Sequence, residues 1–163
     1  WGIAPFRFDV EDDDIAFQRV IVGFTEFDLP GADVGEIIEG VFERWPELKF
    51  VLIEAGFGWI PSLGWRLDQN WKRMKDEVPH LKRKPSEYVK EHFWFTTQPI
   101  DEPDEARHLR SLIDWVGADR LLFSSDYPHW DFDDPSRVLP AGVSDADREA
   151  FYLGNAKKLY GIA

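Results

Sequence analysis

The chain has 163 residues, 44% of them apolar and 15% aromatic, and this length and composition predict a folded domain with a sizeable core. A formal charge of −12 disfavours nucleic acid and anionic membranes as partners, and the lack of cysteine excludes disulfides, thiolate metal sites and thiol nucleophiles. No stretch approaches the roughly 18 apolar residues of a membrane span and no signal peptide opens the chain, so we expect a cytoplasmic protein.

The chain alternates between two kinds of apolar pattern. Apolar residues at helical spacing predict amphipathic helices, and short β-branched or uninterrupted apolar runs predict strands. In chain order the predicted elements are a strand over 19–24, a helix over 37–45, a strand over 48–53, a helix over 61–78, a short helix capped by Ser86, a strand over 92–97, a helix over 101–116 that Gly117 ends, a strand over 121–125, and closing helical segments capped by Ser144 and Asn155.

Strands that alternate with helices predict βαβ units and a parallel sheet. The one glycine pair after a strand, Gly56 and Gly58, lacks the third glycine and the later acid of a dinucleotide site, and no Walker loop or G-x-S-x-G elbow is present. The remaining common parallel architecture is the (β/α)₈ barrel, which needs upwards of about 200 residues. Four strand–helix units are half of such a barrel.

The last predicted strand ends in a carboxylate. Leu121–Ser125 reads as a strand buried on both faces, Asp126 follows it, and Pro128 prevents the sheet from continuing. Because α/β folds place their chemistry at the carboxyl ends of parallel strands, Asp126 and His129 occupy a favourable position for a metal ligand or a general base.

Several segments, in order, resemble one known family, the amidohydrolase-related family, in the branch that contains aminocarboxymuconate-semialdehyde decarboxylase. The most specific segment is Ser125-Asp126-Tyr127-Pro128-His129 with its flanks. The resemblance covers roughly residues 36–162. The other matching segments are Glu39–Pro46, Phe50–Trp59, Trp65–Asp68, Thr96–Pro99, Gly117–Arg120 and Asn155–Tyr160.

This resemblance implies a TIM-barrel (β/α)₈ metal-dependent hydrolase fold, of which the chain is the C-terminal half, strands five to eight. Residues 36–163 would belong to the barrel domain, and residues 1–35 are an unassigned N-terminal segment that would either include strand five or lie outside the family fold. The first residue is Trp1 rather than methionine, which indicates a processed, truncated or partially described chain.

The resemblance also implies one divalent ion, zinc or manganese, held by a histidine pair on the first strand, a histidine on the fifth and an aspartate at the end of the eighth. Asp126 matches that aspartate. Glu54 stands where decarboxylase relatives carry a histidine. The four histidines of this chain, at positions 80, 92, 108 and 129, include no pair two residues apart, so we expect a complete metal site to need residues from outside the chain.

Three residues are predicted to carry the chemistry, each with a structural alternative. Asp126 would ligate the metal and accept a proton, or would only cap the next turn. Glu54 ends a buried strand, where burial would raise its pKa for proton transfer, or it pairs with an arginine such as Arg66. His129 would orient substrate or the aspartate, or is an ordinary loop imidazole.

Two tryptophans, Trp59 and Trp130, adjoin the predicted strand-end loops and are the candidates to line a pocket for a planar acid. Most of the eight tryptophans are expected to serve packing. The acidic segment over residues 131–134 is interpreted as a solvated turn before Pro135.

The leading hypothesis is a metal-dependent hydrolase or non-oxidative decarboxylase for a small carboxylated or cyclic substrate. The alternative is a catalytically inactive barrel fragment that acts as a scaffold or binding module. Half a barrel has two unpaired sheet edges, so we also expect a partner, either the missing N-terminal half or a second copy of the chain.

Overall fold

Four parallel strands form one sheet at the centre of the fold. The computed structural model describes residues 22–23, 35 and 37–162. The strands lie side by side in sequence order, and every pair is parallel, as the alternating pattern predicted. They are β1 (Val22–Gly23), β2 (Phe50–Ile53), β3 (Phe93–Thr96) and β4 (Leu121–Leu122).

Helices follow the strands. The described helices are α1 (Val41–Arg44), α2 (Ile60–Arg73), α3 (Pro85–His92), α4 (Ala106–Val116), α5 (Asp145–Glu149) and α6 (Asn155–Tyr160), with 3₁₀ turns at Lys75–Glu77 and Ala118–Arg120 and a π turn at Ala150–Gly154. Among the described residues, no helix combines the length and apolar character needed to cross a bilayer.

The sheet is buried on both faces, as expected of parallel strands. Side chains alternate along each strand, so neighbouring residues face opposite layers. One face packs against the helices through a largely aromatic core that includes Phe50, Phe93 and Phe95. The other face carries Val51, Trp94 and Leu122, which pack against Leu159 of α6.

Helix α6 closes the amino-terminal end of the sheet. The Asn155 amide donates hydrogen bonds of 2.8 Å to the carbonyl oxygens of Ala118 and Leu121, at the start of β4. Asn155 is therefore a tertiary anchor and not the predicted helix cap, a position that Gly154 occupies. The carboxyl ends of the strands, where the loops after β2 and β4 begin, lie at the opposite end of the sheet.

The start of α3 corrects another predicted cap. Lys84 is the residue before the helix, and Ser86 lies buried within its first turn. Asp68 of α2 accepts hydrogen bonds from the Ser86 N–H at 3.0 Å and from its hydroxyl at 2.7 Å. The carboxylate that satisfies this helix terminus comes from 18 residues upstream, which a local cap pattern does not reveal. The Ser144 cap of α5 is confirmed by a 3.1 Å bond from the Asp147 N–H.

Gly40 interrupts the helix predicted over 37–45. Its φ of 74° is left-handed, and the turn at residues 39–40 separates the helical residues Ile37 and Ile38 from α1, which begins at Val41. A Cβ at Gly40 would lie 2.6 Å from Cδ2 of His80, whose Nε2 is 2.6 Å from the Ile38 carbonyl oxygen. The turn therefore requires glycine both for its backbone angle and for the space it leaves.

We predict that Gly40→Ala lowers the free energy of unfolding by about 2 kcal/mol, because a left-handed alanine is strained and its methyl group displaces His80. Urea denaturation measures the change. Gly35→Ala is the matched control, because nothing lies within 4 Å of a Cβ at that position. Equal stability of the two variants would contradict this account of Gly40.

His92 is a buried histidine in the aromatic core. It is 2% exposed and stacks on Phe42 with ring centroids 4.3 Å apart. Its Nδ1 lies 2.9 Å from the Leu48 carbonyl oxygen, so Nδ1 carries the proton, and its Nε2 has no hydrogen-bond partner among the described residues. Burial lowers the pKa of His92 below its usual value of 6.5.

We predict that the folded state loses stability as pH falls below about 6.5, because the unfolded chain then binds a proton that folded His92 does not. The slope contributed by this residue is up to about 1.4 kcal/mol per pH unit. Chemical denaturation between pH 7.5 and about 5 tests this, and His92→Gln should flatten the profile while the exposed His108→Gln should not. A profile unchanged in His92→Gln would assign the pH dependence to other groups.

Candidate metal centre and active site

The loop after β4 folds back on itself and presents Asp126. The Ser125 carbonyl accepts a 2.9 Å bond from the Asp133 N–H, which closes the loop. Within it, the His129 N–H donates to the Asp126 carbonyl at 2.8 Å, and the Phe132 N–H donates to the His129 carbonyl at 3.3 Å. These successive turns bring the side chains three and five residues after Asp126 to the same side of the loop.

Asp126, His129 and Asp131 form a cluster of potential metal ligands. His129 Nδ1 lies 3.0 Å from Asp126 Oδ2, and one ligand atom from each residue lies within 4.8 Å of the others. Asp126 is half-buried, with its side chain 28% exposed, whereas the other two are exposed. Two carboxylates and an imidazole are a donor set that suits zinc or manganese, and three protein ligands leave positions open for substrate. The residues present therefore fit a divalent ion.

Glu54 occupies the equivalent corner two strands away. It is the first residue after β2, and its N–H donates a 3.0 Å bond to the Thr96 hydroxyl at the end of β3. Glu54 and Asp126 are the non-glycine residues with positive φ in the described part of the chain, at 57° and 56°. Such strain is uncommon and tends to occur at functional sites.

The structure corrects the expected environment of Glu54. The sequence predicted that Glu54 is buried, but the Glu54 side chain is exposed in this chain. The reason is that the strand ends at Ile53 and the left-handed turn carries the next side chain out of the sheet. The alternative pairing with Arg66 is not formed among the described residues.

Hydrogen bonds tie the three strand-end loops together. Between β3 and β4, the Gln98 N–H donates to the Ser124 hydroxyl at 3.1 Å, and the Ile100 N–H donates to Asp133 Oδ2 at 3.3 Å. Between β2 and β3, the Gly58 N–H donates to Asp101 Oδ2 at 3.1 Å. Burial raises the pKa of the Asp133 carboxyl, with a smaller opposing effect from the Ile100 N–H.

The two candidate tryptophans have different environments. Trp59 is half-buried, donates a 2.9 Å bond from Nε1 to the Ala55 carbonyl, and packs against the core beneath the helices. Trp130 is 93% exposed on the loop that carries the metal-ligand cluster. Of the two, the structure brings Trp130 to the same loop as Asp126, and it places Trp59 in the packing between sheet and helices.

Asp131 is a candidate ligand that the sequence interpretation missed, because residues 131–134 were assigned to a solvated turn. The signal was the spacing D-x-x-H-x-D from Asp126 to Asp131, which offers ligand atoms at three positions of one short loop. The D-x-x-H-x-D spacing indicates a metal site only when the loop turns back on itself. This turn depends on the hydrogen bond from the Asp133 N–H to the Ser125 carbonyl.

The sequence profile of the amidohydrolase family matches residues 18–162, nearly the whole chain. The chain belongs to the amidohydrolase family. This confirms the resemblance carried by the segment around Asp126, and the match begins within the N-terminal segment that the sequence analysis left uncertain.

Relatives of this amidohydrolase chain include decarboxylases. It is 34% identical over 124 residues to gamma-resorcylate decarboxylase from Polaromonas sp. strain JS666, covering 74% of this chain and 36% of that protein. It is 32% identical to gamma-resorcylate decarboxylase from Rhizobium sp. strain MTP-10005, with the same coverage. The chain thus spans about 36% of the length of the curated relatives it matches.

Solved amidohydrolase structures share the fold. With 5-carboxyvanillate decarboxylase from Sphingomonas paucimobilis the TM-score is 0.63 at 27% identity, covering 81% of this chain and 39% of that one. With dihydroxybenzoic acid decarboxylase from Polaromonas sp. JS666, which contains bound manganese and the inhibitor 2-nitroresorcinol, it is 0.60 at 28% identity, covering 80% and 39%. The predicted fold class is confirmed: the four-stranded sheet is part of a TIM barrel.

Proposed function

We propose that the complete protein is a metal-dependent, non-oxidative decarboxylase of small aromatic carboxylates, and that this chain supplies the part of the barrel carrying Asp126. The observation that carries the proposal is the half-buried carboxylate of Asp126, a residue with a left-handed backbone, beside His129 and Asp131 at the carboxyl end of the sheet. Decarboxylases among the relatives support the choice of reaction over hydrolysis.

A zinc or manganese ion would be held by Asp126, with His129 and Asp131 available to complete this chain's contribution. When bound, the ion supplies positive charge that binds and polarises the oxygens of an acidic substrate. In the chain itself, the His129 ring lies 3.0 Å from the Asp126 carboxylate and orients it.

Decarboxylation breaks the bond between the ring carbon and the carboxylate, and the electron pair left on that carbon must take up a proton. Glu54 is our candidate to hold that proton, because it stands at the same edge of the sheet and its backbone is fixed by Thr96. Trp130 offers an exposed indole face on which a planar ring can stack. Trp59 would act indirectly, by packing beneath the loop that follows β2.

The proposal includes a partner and a location. Among the described strands, β1 and β4 each have one neighbour, so each leaves one edge of backbone groups that the rest of the barrel, or a second copy, would pair. Analytical ultracentrifugation of the chain should give an associated species, and a well-folded monomer would contradict this.

We place the complete protein in the cytoplasm, which cell fractionation tests.

An inactive scaffold is the second candidate. Glu54 stands where the family resemblance led us to expect a histidine, and the described ligand cluster contains one histidine, His129. Both observations indicate fewer histidine ligands in this chain than the family resemblance implies, which favours a scaffold. A scaffold would bind neither manganese nor an aromatic acid at this edge of the sheet.

One assay separates the two candidates. The complete protein is incubated with gamma-resorcylate or 5-carboxyvanillate, with and without manganese, and released carbon dioxide is measured. We expect metal-dependent release that a chelator abolishes and that manganese or zinc restores. Tight metal binding without release from either acid would leave the amidohydrolase fold intact and would reject decarboxylation of these acids.

A further inference from the structure

A small cavity lies at the amino-terminal end of the sheet, away from Asp126. Its volume is about 50 Å³, and beside Leu159 its lining consists of Lys49, Trp94, Asp119, Arg120, Asn155 and Lys158. These residues come from the start of β2, from β3, from the 3₁₀ turn before β4 and from α6. Because four separate elements build it, the grouping results from the tertiary fold and not from local sequence.

The cavity concentrates positive charge in an acidic chain. Three cationic side chains, Lys49, Arg120 and Lys158, face one carboxylate, Asp119, so the lining has a formal charge of +2 while the chain carries −12. The Arg120 to Asp119 contact is loose, with Nε 3.5 Å from Oδ2. Among the described residues, neither lysine forms an ion pair with a carboxylate.

Contact with Trp94 explains only part of this arrangement. The Arg120 guanidinium carbon lies 4.4 Å from the Trp94 ring centroid and the Lys49 ammonium lies 5.7 Å away, distances at which cations are attracted to the ring. The aliphatic parts of the Arg120 and Lys49 side chains also cover the Trp94 indole, which is only 8% exposed. Lys158 adds a third like charge to the same lining, and that charge raises the repulsion within the cavity.

We propose that this cavity binds a small tetrahedral dianion, such as inorganic phosphate. Its volume admits a few water molecules or one such ion in their place. The Arg120 guanidinium can donate paired hydrogen bonds to two oxygens, and the two ammonium groups can donate to the others. A dianion would neutralise the formal +2 of the lining and would link α6 to the starts of β2 and β4. The ligand therefore stabilises the closed end of the sheet.

The test uses the complete protein with inorganic phosphate, and sodium chloride at equal ionic strength as the reference. Thermal unfolding should show a saturable rise in Tm with phosphate that chloride does not produce. Acetate should bind at least about tenfold more weakly, because it carries one charge and two oxygens. Titration of the Trp94 indole N–H resonance with phosphate reports binding at the cavity itself and needs no variant.

Two variants and a matched control locate the site. Lys49→Gln and Lys158→Gln should each weaken phosphate binding about tenfold, which corresponds to about 1.4 kcal/mol for one lost charge-assisted bond. Lys157→Gln removes the same charge from the neighbouring residue, which does not line the cavity, and should change the dissociation constant less than about twofold. Equal weakening in all three variants, an equal Tm rise with chloride, or a Trp94 resonance that phosphate leaves unshifted would overturn the proposal.

Discussion

Replacing Asp126 with asparagine in the complete protein should lower the decarboxylation rate about a thousandfold and reduce bound manganese. The Asp126 carboxylate is the half-buried member of the ligand cluster, and its loss removes several kcal/mol of charge stabilisation. A loss of about 4 kcal/mol of transition-state stabilisation corresponds to a thousandfold lower rate. Asparagine is the informative substitution, because it tolerates the left-handed φ of 56° that position 126 requires. The fold should therefore survive, and circular dichroism can verify it.

Elemental analysis and initial rates measure the two effects of Asp126→Asn together. Asp104→Asn serves as the control, because it removes one exposed carboxylate from the same chain outside the cluster. If Asp126→Asn kept both its metal and its turnover, Asp126 would be a turn residue and the proposed metal centre would be wrong.

Replacing Glu54 with glutamine should lower the turnover number by about 10²–10⁴ while bound manganese stays constant. Glu54 is our candidate to hold the proton that the ring carbon takes up, and glutamine keeps its size and hydrogen-bonding shape without that proton. The backbone strain at φ 57° is the same for both residues, so stability should change little.

Glu39→Gln is a matched control for Glu54→Gln, since Glu39 is exposed and lies away from the strand ends. A fall in stability without a change in turnover would make Glu54 a structural residue. A loss of manganese in Glu54→Gln would instead make Glu54 a metal ligand, and the role of proton donor would then have to pass to another group.

The sequence was sufficient to predict the parallel sheet and the position of Asp126, because both depend on local patterns. Uninterrupted apolar runs such as residues 50–53 identify strands buried on two faces. The strand predicted over 121–125 is shorter in the structure, since β4 ends at Leu122, and Asp126 lies in the loop that follows it. The family resemblance rested on this same segment, and the profile match over residues 18–162 confirms it. The roles of Asp126, Glu54 and His129 in catalysis stay predictions.

Features that depend on distant contacts could not be predicted. The Ser86 terminus of α3 is satisfied by Asp68, and Asn155 bonds the start of β4 instead of its own helix. Asp131 joins the ligand cluster only because its loop closes through Ser125. Ser86 and Asn155 were assigned their commonest local role, and a partner far away in sequence gave each another. Asp131 depends instead on the way its own loop closes.

The hydrogen bonds between the three strand-end loops have a consequence for ligand affinity. Since the loops after β2, β3 and β4 are already cross-linked through Gly58, Gln98 and Ile100, little conformational entropy remains to be lost when a cation or an acid arrives. Removing one of these hydrogen bonds, for example with Asp101→Ala, should therefore weaken the affinity for the cation or acid mainly through an entropic penalty. Calorimetry would detect this as a less favourable −TΔS with a nearly unchanged enthalpy.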